Sequence, residues 1–215
     1  MKVVMSSHFS RRARRVLTTG VALTAAAILT TGLTGTAAAE IESSNQIVDS
    51  AGRTVSAIQA DTRIDFVAPL DGNPLTREWF HHGRAGFTVA GPDAGNWSGR
   101  ITLGYQVGYP ATAGGKLKFE YSTPGLGVEL GTGAVVKIEG LIPRGGIELE
   151  VGFGPGIQTV EVASGEISGT DGFLRVSGFH STVTGVVGPT TIRPFVSVVG
   201  ASGDTVVTYG PTWTT

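Results

Sequence analysis

The sequence predicts an all-β protein, and three observations carry that prediction. Glycine fills 33 of the 215 positions, about twice the usual ~7%, and each glycine inside a helix costs ~1 kcal/mol relative to alanine. Valine and threonine are abundant around ten prolines, a composition of short strands and tight turns. Between Trp97 and Tyr109, apolar or small residues alternate with polar or small ones in strict period two, the mark of a half-buried strand. A 40% hydrophobic chain with little net charge excludes disorder. No cysteine is present, which excludes a disulfide framework and thiolate metal sites.

The first element is an address. Lys2, Arg11, Arg12, Arg14 and Arg15 precede an apolar stretch, Val16 to Leu33, that ends at Ala37, Ala38 and Ala39. This order is that of a secretory signal peptide cleaved after Ala39. A membrane anchor is the competing reading, but threonines and glycines interrupt the run. Cleavage removes five basic residues and no acidic one, leaving eleven Lys and Arg against seventeen Asp and Glu, a charge of −6. An acidic mature chain excludes nucleic acid as a partner. No stretch after Ala39 is long and apolar enough for a spanning helix, so entry into a membrane requires strands closed into a barrel.

Residues 40–73 are polar, with short alternating pieces such as Arg63 to Val67. Thr76 to Gly83 reads as a short helix, with Thr76 as N-cap, Glu78 in the first turn and Gly83 closing it. In the Trp97–Tyr109 strand, Trp97, Gly99, Ile101, Leu103, Tyr105, Val107 and Tyr109 share one face. Further strands are predicted at Ala85–Ala90, Ile157–Ile167, Phe173–Val187, Thr191–Val199 and Thr205–Tyr209, each bounded by Gly, Pro, Asp or Ser. No repeat of fixed period occurs.

Residues 114–153 have a different character. Lys116, Lys118, Glu120 and Ser122 alternate with Leu117, Phe119, Tyr121 and Thr123; Glu148 and Glu150 alternate with Ile147, Leu149, Val151 and Phe153. Between these arms, Gly131-Thr132-Gly133 is a sound turn, so a long hairpin is the simplest reading. An amphipathic hairpin packed on a sandwich core and a transmembrane ribbon facing water and lipid both fit. A lone ribbon in lipid exposes two unpaired edges at several kcal/mol per unsatisfied group, so the second reading demands other copies.

Other signals carry no chemistry. Gly152 to Gly156 contains Pro155 and reads as a turn rather than a phosphate loop. His81 and His82 lack a metal-ligand pattern, and His180 stands alone within a strand. No G-x-S-x-G elbow supports a hydrolase. Trp79, Trp97 and Trp213 are assigned to core or interface packing. No catalytic residue, cofactor or metal site is assigned.

Pro74 to Arg84 (PLTREWFHHGR) followed by Val89-Ala90-Gly91-Pro92, then Leu103 to Pro110 (LGYQVGYP), Tyr121 to Pro124, Gly154 to Gln158, Ile192 to Phe195 and Gly203 to Gly210 resemble, in order and spacing, the MspA-like porins. These are the mycolic-acid-containing outer-membrane porins of actinobacteria. The resemblance implies a globular β-sandwich rim, residues 40–113 and 154–215, and one hairpin, residues 114–153, given to a sixteen-stranded barrel shared by eight copies. It implies a passive channel through the outer, mycolate-containing membrane, with small ions and hydrophilic solutes as cargo. Its partners would be other copies, or a related porin subunit, and outer-membrane lipids. At the family's acidic constriction stand Glu129, Leu130 and Thr132, one carboxylate where the family type has several. Lys116, Lys118, Glu120, Glu148, Glu150, Glu166 and Asp171 would line the lumen or vestibule, and the mixed signs predict a moderate cation preference. The competing reading is a secreted or envelope-associated β-sandwich that binds or supports other molecules.

Overall fold

The computed structural model describes residues 40–122, 126–130, 135–137 and 144–215; the signal segment, Met1–Ala39, and Thr132 lie outside the described residues. Fifteen strands follow one another: β1 Ile41–Val48, β2 Thr54–Val67, β3 Thr76–Ala90, β4 Ser98–Tyr109, β5 Ala111–Thr112, β6 Lys116–Ser122, β7 Leu126–Leu130, β8 Val135–Lys137, β9 Arg144–Glu150, β10 Gly156–Ser168, β11 Asp171–Thr184, β12 Val186–Val187, β13 Thr191–Gly200, β14 Thr205–Tyr209 and β15 Trp213–Thr214. The described residues include one 3₁₀ turn, Ala94–Asn96, and no α-helix. The all-β expectation holds.

One sheet runs β1-β2-β3-β11-β6-β9, with β7 also on β11; the other runs β14-β13-β4-β10-β8, with β15 on β13. Every pairing is antiparallel. The alternation predicted for β4 is realised: Ile101, Leu103, Tyr105, Val107 and Tyr109 are all buried. They meet Val55, Trp79, Phe87, Leu117, Phe119, Leu174, Val176 and Phe179 of the other sheet in one core. Rings cross between the sheets, with Trp79 edge-on to Tyr105 at 5.8 Å and Phe87 stacked on Trp97 at 5.6 Å, contacts of ~0.5–1.5 kcal/mol beyond their burial. On the outer side of the second sheet the Phe195 ring lies over Gly104, where a Cβ would stand 2.4 Å from a ring carbon. Part of the glycine load therefore buys close approach inside strands, in addition to turns.

The helix predicted at Thr76–Gly83 is instead the first half of β3, pinned between Val67–Arg63 of β2 and Thr184–Phe179 of β11. Thr76, Glu78 and Gly83 imitate cap, first turn and stop, but Trp79 and His81 sit two apart and both are buried. Burying those two rings against Tyr105 outweighs a short helix, which is marginal alone. The polar stretch 40–73 likewise forms two long strands, β1 and β2.

Bulges shift the alternation, two of them in the strands on either side of β3. β2 breaks register between Ala60 and Arg63, where Asp61 has φ 52°, and β11 breaks it between Val176 and Phe179, where Gly178 has φ 65°. The Gly178 amide donates to Nδ1 of His82 at 3.2 Å. Positive φ costs glycine little, and the extra residue lets Leu174 and Val176 on one side, Phe179 and Val183 on the other, all point inward.

His81 is buried at 2% exposure, with Nδ1 2.7 Å from the Tyr105 hydroxyl. Burial, helped by the neighbouring His82, lowers its pKa to about 3, while burial raises that of Tyr105. The unfolded chain binds a proton at His81 below ~6.5, whereas the folded chain does so only near 3. This contribution to stability is complete above pH ~6.5 and is lost as pH falls toward 3. Thermal unfolding at stepped pH should therefore show a falling midpoint across that window, with a shallower fall in His81→Gln; equal slopes would reject His81 as the acid-sensitive group.

Candidate functional site

The two faces of β6 have opposite surroundings. Leu117 and Phe119 are 2% and 1% exposed, inside the core, while Lys116, Lys118 and Glu120 stand in solvent. β9 pairs with β6 from Lys116↔Glu150 to Ser122↔Arg144, which brings Glu148 and Glu150 to the same outer face. Lys116 Nζ lies 3.0 Å from Glu148 Oε1 and 3.5 Å from Glu150 Oε1; Lys118 Nζ lies 3.0 Å from Glu120 Oε1. Each side chain is at least half exposed, so these pairs add little stability. They fix two ammonium groups and three carboxylates at a water-facing wall.

Towards β11 this face deepens into an open groove of about 560 Å³, walled by Glu120, Tyr121, Ser122, Gly145, Gly146, His180 and Thr182. A second hollow of about 390 Å³ adjoins it and shares Glu120, His180 and Thr182. His180 has a partner there that the sequence reading missed. Its Nε2 is 2.9 Å from Glu78 Oε1 and its ring stacks on Phe80 at 5.0 Å. The other Glu78 oxygen accepts the Leu70 amide at 2.9 Å, and the side chain is only 10% exposed. The signal lay in register: Glu78 opposes Thr182 and Phe80 opposes His180, which brings the acid and the imidazole onto one face as diagonal neighbours.

The remaining predicted positions are dispersed. Asp171 is on the same sheet, at the other end of β11 from His180 and opposite Thr88. Glu166 belongs to the second sheet, opposite Arg100 and 3.3 Å from its guanidinium. Glu129 and Leu130 are in β7, opposite Phe173 and Gly172 of β11. The gathered set is therefore Lys116, Lys118, Glu120, Glu148 and Glu150, with Glu78 and His180 added by the structure. Fixed charges of both signs on a wetted sheet face can attract and pass mobile ions.

An all-β chain with a strand pair charged on one side and apolar on the other has the makings of a porin subunit. The MspA family model matches residues 51–214. Three relatives from Mycolicibacterium smegmatis align over most of the chain. Porin MspC is 41% identical over 199 residues, covering 89% of this chain and 93% of that protein. Porin MspA is 41% identical over 201 residues, covering 90% and 95%, and Porin MspB is 39% identical over 204 residues, covering 91% and 90%. The chain belongs to the MspA family of porins.

The opposed faces of β6 should respond differently to truncation. Leu117→Ala should cost ~2–5 kcal/mol, whereas Lys116→Ala should cost no more than ~1 kcal/mol, both read from denaturant unfolding; comparable losses would contradict this division of the strand.

Proposed function

We propose that the chain is a subunit of an outer-membrane channel for passive diffusion of ions and small hydrophilic solutes, in the mycolate-containing membrane of an actinobacterium. The observation that carries it is the charged outer face of β6 and β9 in a chain of this porin family. In this reading residues 40–113 and 154–215 form the β-sandwich rim, and residues 114–153 supply the ribbon. Eight copies, or copies with a related subunit, close sixteen strands and leave no edge unpaired in lipid.

The buried Leu117 and Phe119 support a membrane-crossing part shorter than the whole ribbon. Their side chains face core, so the crossing part starts beyond Ser122 on one arm and ends before Arg144 on the other. Each arm then holds about ten residues, the length that crosses when tilted. The pattern agrees. Leu126, Val128, Leu130, Val136 and Ile138 are apolar at even positions, while Glu129, Lys137 and Glu139 are charged at odd ones. Above them the charged residues Lys116, Lys118, Glu120, Glu148 and Glu150 are even. Pro124 and Pro143 sit where the parity changes, as prolines at bulges do.

Lumen charge then comes from Lys116, Lys118, Glu120, Glu148 and Glu150, with Glu166 and Asp171 in the vestibule. Glu129, Leu130 and Thr132 form the constriction. A ring of Glu129 carboxylates favours cations, and the lysines temper that preference. Purified oligomer in planar bilayers should give stepwise conductance; a correctly assembled oligomer with none would sink the channel reading. In ion-gradient recordings, Glu129→Gln should lower the cation-to-anion permeability ratio, and an unchanged ratio would remove Glu129 from the selectivity element.

A further inference from the structure

Among the described residues, β7 and β8 do not pair with each other. β7 lies along β11, from Leu126↔Val176 to Leu130↔Gly172, and β8 lies along the end of β10, from Val135↔Ser168 to Lys137↔Glu166. From Ser122↔His180 to Leu126↔Val176 both strands advance four residues, so β6 and β7 follow β11 in one register. The sequence fits that register across the bulge. On β11 the core positions change from Phe179 and Val183 to Leu174 and Val176. Their neighbours change parity at the same place, from Leu117 and Phe119 to Leu126, Val128 and Leu130.

A second register is equally well encoded. Continuing the β6–β9 pairing past Ser122↔Arg144 sets Val128 across from Ile138, Glu129 across from Lys137 and Leu130 across from Val136. The turn then falls on Thr132-Gly133-Ala134. Apolar residues meet apolar residues and the acid meets the base. Lys137 faces a glutamate position in both arrangements, Glu166 in the first and Glu129 in the second.

We propose that β7 and β8, residues 126–130 and 135–137, are a two-register element. In the unassembled chain β7 and β8 are parked on the edges of β11 and β10; in the assembled channel they zip onto each other, so that the register position facing Lys137 changes from Glu166 to Glu129 and Lys137 becomes the counter-charge of the constriction. The inference rests on the channel reading above. Parking satisfies the backbone edges that a free ribbon would leave open to wrong partners. Assembly then replaces these strand hydrogen bonds with those between β7 and β8. The exchange also makes Lys137 a selectivity determinant, because a ring of Glu129 carboxylates paired with Lys137 ammonium groups presents less net charge to a passing ion.

The chain has no cysteine, so a lock is easily built. Val135 and Ser168 are direct antiparallel partners, and Cα atoms so placed stand ~4.5–5.5 Å apart, within disulfide reach. The full mature chain carrying Val135→Cys and Ser168→Cys is oxidised as a monomer, then followed by gel filtration and bilayer insertion before and after reduction. The expected result is a crosslinked monomer without channel events, and octamer with conductance after reduction. Conductance in both states, or failure of the pair to crosslink, overturns parking and leaves the porin reading intact. A reduced protein that never conducts overturns both. In ion-gradient recordings Lys137→Gln should raise the cation-to-anion ratio, and Lys137→Gln combined with Glu129→Gln should return it toward the value of Glu129→Gln alone. A ratio unmoved or lowered by Lys137→Gln overturns the exchange of partners.

Discussion

The backbone groups along the free edge of β11 constrain the rest of this molecule. A strand in the middle of a two-sheet body needs hydrogen-bond partners on both sides, because an unpaired buried amide costs about as much as a lost hydrogen bond. β3 supplies one side of β11 throughout its length. The other side is filled in two parts, by β6 next to His180–Thr184 and by β7 next to Gly172–Val176. The first part is anchored by side chains, since Leu117 and Phe119 belong to the core. The second is held at strand positions that have an alternative partner within the same ribbon. In the proposed exchange, the anchored and the exchanging parts of this strand edge are separated by the bulge at Gly178.

That bulge connects fold and charged face. With strict period two along β11, either Leu174 and Val176 or Phe179 and Val183 would point to solvent, and the core would lose a pair of large side chains. The positive φ of Gly178 and the matching break near Asp61 in β2 restore both pairs. The same shift leaves His180, Thr182 and Thr184 on the outer face, beside Lys118 and Glu120. A packing requirement inside the sheets therefore sets which polar residues reach the groove. The His82 ring accepts the bulge amide, so the adjacent histidines serve one on each side of β3.

Much of this was legible in the sequence where one physical force dominates. Strand β4 could be read because its odd positions from Ile101 to Tyr109 all enter the core. The charged side of residues 116–122 was legible for the same reason. Thr76–Gly83 was not, because cap-forming residue types occur in strands for other purposes: Glu78 binds His180 and the Leu70 amide rather than a first turn. β1 was hidden by its exposure, since an edge strand with Ser44, Asn45 and Gln46 exposed carries no apolar stripe. Its hold is polar, with Asn45 donating to the Val207 carbonyl at 2.9 Å and Ser43 bonded to Thr208.

The apolar face of the ribbon shows a deeper limit of pattern reading. Lipid and protein core select the same residue types, so Leu117 and Phe119 look in sequence like Val128 and Leu130. Only the structure separates the first pair, which is buried against Trp79 and Val183 in the body. In the proposed channel, assigning the first pair to the core shortens the membrane-crossing part of the ribbon to about the length a tilted strand needs. The ambiguity in the sequence is itself physical: a segment whose apolar face suits either a sheet edge or lipid can be held by the first and released to the second without exposing that face to water.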